Sequence, residues 1–222
     1  MADVNNFAYI ADPLKMIRVC WPQYVLSVEQ QEIVYSVEDN IETYVPAANM
    51  TGKDFIAALV ILSFFIRRSP YNQQTNRGGC RIVTTSATGE HLRVLWGEIN
   101  RHIQACKFPL DHARGGPLLI NHQLLRKVYT NGSNKGQVCP ISYVTALVAS
   151  PDSIAAMQGH HIANVGDGIP RTLFVADEAS SVPTDYYEKA RTWANRVFVF
   201  GNTWPCSNFF YEAVTGGDIL LP

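Results

Sequence analysis

The sequence predicts an α/β protein with a central, mostly parallel sheet flanked by helices, and three stretches predict it. Residues 41–46 form a short strand-like segment that passes through a glycine turn into the apolar run 55–66. Residues 81–88 are a β-branched run that opens into a helical pattern, and residues 171–179 are an apolar strand closed by two adjacent carboxylates, Asp177 and Glu178. Strand followed by helix, repeated, points to parallel pairing, because parallel neighbours need a crossover between them.

The totals bound the rest. A chain of 222 residues suits one large domain, here residues 1–222, with enough length to bury a full core. With 18 basic and 19 acidic side chains, nothing in the net charge announces a nucleic-acid or membrane-surface partner, so any such contact must come from a local patch. Five scattered cysteines without CxxC spacing argue against a zinc site or a disulfide framework and read as reduced thiols, mostly in the core. The first residues lack a basic segment followed by an apolar one, and the run 55–66 is too short to span a bilayer, so a soluble intracellular protein is expected.

In chain order, residues 1–20 read as a short helix or an arm. Ser27 can cap a helix over 27–37 whose apolar positions Ile33, Val34 and Val37 share a face. Gln30 and Gln31 on that helix either set an amide against an adenine edge or lie on a solvated face. Residues 45–55 read as a variant of the Walker A phosphate-binding pattern. Ala47 stands for the expected first glycine and Asp54 for the expected Ser/Thr, while Gly52-Lys53 keeps its place. A Gly-Lys pair of this kind also occurs in plain loops; what favours the phosphate reading is the strand before it and the buried helix 53–66 after it, since backbone N–H groups at such a helix start face an anion and the lysine adds a point charge.

Residues 67–79 read as a polar loop. Residues 81–88 and the helix through Leu92, Leu95, Trp96, Ile99 and Ile103 make a second βα unit. Residues 117–121, 125–129 and 141–148 are strand-like, with Asn131-Gly132 as a hairpin tip. Arg126, Lys127 and Lys135 there are either phosphate contacts or ordinary hairpin charges. Asp177-Glu178 has the form of a Walker B strand end, where one carboxylate holds Mg²⁺ and its water shell and the other polarises the attacking water. Residues 195–200 are a last strand, whose end at Asn202 and Thr203 faces the same crevice or is a simple turn. His160-His161 lacks a third ligand at metal spacing and reads as structural.

Taken in order, these motifs resemble the large-subunit terminase family, the ATP-driven motors that package double-stranded DNA into viral capsids. The resemblance rests on the glutamine helix with Gln30 ahead of Ile33-Val34, the deviant Walker A at 45–55, the Thr84-Thr85-Ser86-Ala87-Thr88 strand end with Leu95-Trp96 after it, and Gln158-Gly159-His160-His161. It continues through Asp177-Glu178-Ala179-Ser180 with Val182-Pro183, then Gly201-Asn202-Thr203-Trp204-Pro205 with Asn208-Phe209-Phe210-Tyr211. Two departures from the family pattern stand out: Asn49 and Met50 stand where many members carry a loop arginine, and Asp54 replaces the Mg²⁺-ligating hydroxyl.

The resemblance implies a RecA-like P-loop ATPase domain, with residues 1–40 as N-terminal arm and adenine-motif helix and without the nuclease domain that usually follows. It implies ATP and Mg²⁺ as cofactors. Gln30, Gln31, Ala48, Asn49, Met50, Thr51, Gly52, Lys53 and Asp54 would bind the nucleotide, Asp177 and Asp54 the metal, and Glu178 would be catalytic. Asn202 and Thr203 would sense the γ-phosphate, and Arg171, with Arg191 and Arg196 as alternatives, would act on a neighbouring subunit. Implied partners are double-stranded DNA, a portal protein and a small terminase subunit, with assembly as a homo-oligomeric ring or a monomer in isolation, no membrane, and the cytoplasm of an infected host cell as location. A helicase-like ATPase and a nucleotide-binding assembly scaffold are the rival readings.

Overall fold

The computed structural model describes residues 10–47, 52–75, 77–162, 166–203 and 206–216. Its frame is a seven-stranded sheet in the order β1-β9-β8-β4-β7-β6-β5. Five neighbouring strands are parallel: β1 (Glu42–Pro46), β9 (Arg196–Gly201), β8 (Thr172–Ala176), β4 (Arg81–Ser86) and β7 (Val138–Val148). An antiparallel meander of β7, β6 (Leu124–Val128) and β5 (Leu118–Asn121) closes one edge. The mostly parallel sheet expected from the strand–helix alternation is therefore present, and the Asn131-Gly132 turn joins β6 to β7 as expected.

The helices follow from local chemistry. In α1 (Pro13–Cys20), Asp12 caps the start and Pro13 takes the first-turn position where its missing N–H costs nothing. In α2 (Val28–Asp39), Ser27 and Gln30 form a reciprocal capping box. The helix α3 (Lys53–Arg68) buries 14 of its 16 residues, as its near-continuous apolar sequence requires. In α4 (Gly89–Ala105), Thr88 caps a helix whose Leu92, Leu95, Trp96, Ile99 and Ile103 face the core. The short helices α5 (Thr184–Arg191) and α6 (Phe209–Thr215) complete the order. One expectation is corrected: the stretch 67–79 is not only loop, because β2 (Tyr71–Asn72) and β3 (Arg77–Gly78) pair into a small antiparallel ribbon.

The larger core lies where α1, α3 and α4 meet one sheet face, around Trp21, Phe64, Phe65 and Trp96, and a second cluster covers the other face around Phe174, Tyr186 and Trp193. His102 ties the helices together. Its Nε2 donates to the Phe55 carbonyl at 3.0 Å and its Nδ1 accepts from the Tyr24 hydroxyl at 3.0 Å. Burial holds this imidazole below its ordinary pKa, so it is neutral and serves both bonds. Cys20, Cys80, Cys106 and Cys139 are buried free thiols. No helix among the described residues is long and apolar enough to cross a membrane.

Candidate active site

The parallel strands end together at Pro46, Ser86, Ala176 and Gly201, and the predicted site residues collect at that edge. Gly52 caps α3 with φ +77°, a left-handed conformation that a side chain would disfavour, which accounts for glycine at this turn. Lys53 and Asp54 open the helix. Ala48, Asn49, Met50 and Thr51 lie outside the described residues.

From β8 the chain delivers Asp177, 2% exposed, with its N–H bonded to the Thr85 carbonyl of β4 at 2.8 Å. The next residue, Glu178, has φ +47° and ψ +52°, a conformation uncommon for a residue with a side chain. That turn aims its carboxylate back at α3, where Glu178 Oε1 accepts from Lys53 Nζ. The other oxygen, Oε2, accepts from the Asn202 N–H at 3.5 Å. Gly201 allows this approach, because a Cβ there would stand 2.7 Å from the Ala179 nitrogen. Thr203 follows and is exposed.

Electrostatics set this cluster apart. Burial first, and then the neighbouring Asp54 carboxylate, push Asp177 up to about 8 against the opposing pull of Lys53. Burial also raises Asp54, with Lys53 resisting and Glu178 adding to the rise. Asp177 Oδ1 is buried and has no hydrogen-bond partner among the described residues. Two desolvated carboxylates and an idle acceptor form a hard, oxygen-only donor set that suits Mg²⁺, which commonly takes one or two protein carboxylates and fills its remaining positions with phosphate oxygens and water. Among the described residues no group of three His, Cys, Asp or Glu side chains gathers as a complete metal cage.

Beside Lys53 a cavity of about 350 Å³ is lined by Gln30, Ile33, Pro46, Phe198 and Phe200. Gln30 Oε1 is held by the Ser27 N–H at 3.1 Å, while its Nε2 points toward the turn at Gly52, 3.4 Å from where a Gly52 Cβ would lie. The amide therefore offers a donor to this cavity. Gln31 is not brought there: its Nε2 donates to the Leu26 carbonyl and its Oε1 accepts from Arg18. Phe198 and Phe200, ring centroids 5.1 Å apart, supply apolar walls that the sequence showed only as part of a strand. Their i, i+2 spacing on one face of β9 was the available signal.

The candidate arginines all have partners within the chain. Arg171 sits at the opposite edge of the sheet, just before β8, and binds Asp167. Arg191 pairs with Glu42 and Glu188, and Arg196 donates to the Glu38 carbonyl. His160 bonds the Tyr143 hydroxyl and the Ala156 carbonyl, in keeping with the structural reading. One linkage has no signal in the sequence: Asn208 Nδ2 donates to the carbonyls of Ala179 and Val182 at 2.7 and 2.9 Å, while its Oδ1 caps α6. The loop after Glu178 is thus tied to the C-terminal helix by one side chain.

No protein-family model and no curated protein matches the chain. Solved structures do. The ATPase domain of the Thermus phage P74-26 large terminase, in a mutant form, superposes with a TM-score of 0.57 at 14% identity, covering 89% of this chain and 72% of that one. The HK97 bacteriophage large terminase gives 0.54 at 14% identity over 90% of this chain, and the large terminase of a thermophilic bacteriophage gives 0.55 at 14% over 86%. The matched region spans 37% and 42% of those two longer chains. The chain thus has the RecA-like α/β fold that these large-terminase ATPase domains share.

Proposed function

We propose that the chain is a nucleotide-hydrolysing motor domain of the terminase type, binding ATP with Mg²⁺ at the strand-end cluster. One observation carries this reading: Lys53, Asp54, Asp177 and Glu178, from two distant segments, converge beside a base-sized cavity at the carboxyl edge of a parallel sheet. The N-terminus of α3 and Lys53 would hold the β- and γ-phosphates, and Gln30 Nε2 with Phe198 and Phe200 would hold the base. Asp177 and Asp54 would hold Mg²⁺, which when bound supplies charge neutralisation between the phosphate oxygens.

Phosphoryl transfer asks for positioning and charge stabilisation. Incoming phosphates would draw Lys53 away from Glu178, and the freed carboxylate, held in place by its turn and by the Asn202 N–H, would orient water and accept its proton. Loss of the γ-phosphate would then be felt at Asn202 and Thr203. Asn208 would pass the shift of the 178–182 loop to α6 and so to any DNA-gripping part. A neighbouring subunit would add an arginine; Arg191, half-exposed and held by surface pairs of low worth, is easier to release than Arg171. Double-stranded DNA, a portal and a small subunit are the partners in this reading, and the host cytoplasm the location.

A second reading, a nucleotide-binding scaffold with little turnover alone, is favoured by the Lys53–Glu178 pair, which engages the two groups with each other. Steady-state hydrolysis separates the two. Wild type should turn over ATP, and Glu178→Gln should bind it without hydrolysis; equal background rates in both, with ATP still bound, would remove the ATPase assignment. Lys53→Ala should lose nucleotide binding, and unchanged affinity would remove the phosphate-turn assignment.

A further inference from the structure

A second concavity opens at the amino edge of the sheet, across from the phosphate turn. It holds about 510 Å³, and its walls come from the end of α3, the β2–β3 ribbon, the end of β6 and the residue before β8. Five cationic side chains line it, Arg67, Arg68, Arg77, Lys127 and Arg171, and no carboxylate does. In a chain with balanced totals this is a local excess of one sign, and a concave wall focuses the resulting field. Among the described residues, one carboxylate, Glu38, is shared by Arg67 and Arg68, and Asp167 pairs with Arg171.

Arg68 is the most under-partnered of these side chains among the described residues. It is 6% exposed, and its Nη2 donates to Glu38, yet Nε and Nη1 are buried with no hydrogen-bond partner among the described residues. Idle buried donors on a charged group are costly and rare. Burial, and then the charge of Arg67, hold this guanidinium below its usual pKa, as expected where positive charge is under-compensated. Lys127, which the sequence leaves open as either a phosphate contact or a hairpin charge, is 5% exposed and belongs to this wall.

We propose that this cavity is a second anion site that binds phosphate groups, separate from the phosphate turn. Guanidinium forks arriving from α3, β3 and the start of β8 suit the several oxygens of a phosphate better than a single carboxylate. Lys53 and Arg68 stand at opposite ends of α3, roughly 22 Å apart at 1.5 Å per residue, so no one phosphate reaches both. The phosphate belongs either to a nucleic-acid backbone or to a free phosphate compound.

The test uses the full chain carrying Lys53→Ala, so that the phosphate turn contributes nothing, with a labelled DNA duplex in anisotropy titrations and pyrophosphate in calorimetry. Arg77→Glu and Asn131→Glu, both at exposed lining positions, respectively reverse and add one charge on the wall without disturbing the core. At least one probe should bind, each variant should weaken it by about tenfold or more, and the salt slope should fall by about one for each phosphate released from the wall. Weakening confined to the duplex assigns the backbone as ligand, and weakening confined to pyrophosphate assigns a free phosphate compound. Binding of neither probe, or equal affinities in all variants with unchanged melting temperatures, overturns the site. Because Lys53→Ala is present throughout, neither result depends on the nucleotide reading.

Discussion

Asp177→Asn should stabilise the metal-free protein, and increasingly so as the pH rises. In the unfolded chain this carboxyl has an ordinary aspartate pKa, whereas in the fold burial and Asp54 push it up to about 8. The ionised form is therefore penalised only by the folded state: no penalty exists well below pH 4, it grows as the pH climbs, and it levels off above about 8. At about 1.4 kcal/mol per pH unit the full penalty reaches roughly 5–6 kcal/mol, and relaxation of the surrounding dielectric brings it toward about 2–3 kcal/mol. Asparagine, neutral at every pH, escapes it. In EDTA, the gap in melting temperature between Asp177→Asn and wild type should widen by about 4–8 °C from pH 5 to pH 8, taking 2–4 °C per kcal/mol for a chain of this size. Adding Mg²⁺ and ATP should reverse the order, raising wild type and leaving the variant unmoved. Equal melting temperatures at both pH values would show that Asp177 is neither desolvated nor facing Asp54.

Other perturbations follow from the same geometry. Gln30→Ala removes both half of the capping box and the donor aimed at the cavity, so it should cost about 1 kcal/mol in urea titrations and weaken ATP binding more than triphosphate alone; equal loss for both ligands would detach Gln30 from the base. Gly201→Ala places a Cβ 2.7 Å from the Ala179 nitrogen and should cost about 1–3 kcal/mol, lowering kcat more than it raises KM because Glu178 moves with that turn; a wild-type kcat would refute the contact. His102→Leu strands the Tyr24 hydroxyl and the Phe55 carbonyl, and chemical denaturation should report a loss of roughly 2–4 kcal/mol.

The parts of the fold that could be read in advance were those with a dense local code. The strand at 42–46, the turn at Gly52 and the unbroken apolar helix after it are specified within two dozen residues, and Asp177-Glu178 marks its strand end by contrast with Leu173, Phe174 and Val175. The candidate site residues carry a signal of the same kind, as charged residues at the ends of apolar strands. What escaped depends on distance in the chain. Arg67 and Arg68 read as the start of a polar loop, yet they are the last turn of α3, and Glu38, 29 and 30 residues earlier, holds them under the surface. Lys127 looks like a hairpin charge until it is found buried and lining the same cavity as β2 and β3, and strands of two residues carry no alternation to announce themselves. Gln30 and Gln31 are adjacent and alike, and only the capping box decides which amide turns toward the cavity.

The helix α3 has a mechanical consequence. With 14 of 16 residues packed on all sides, it has no free face along which to tilt or roll by itself. Any displacement imposed at Lys53 must be shared with α1, α4 and the sheet, or carried lengthwise as a rigid rod to Arg67 and Arg68 at its far end. A helix packed this way passes a push along its length, and the residues at the remote end of the rod are where such a displacement would be measurable.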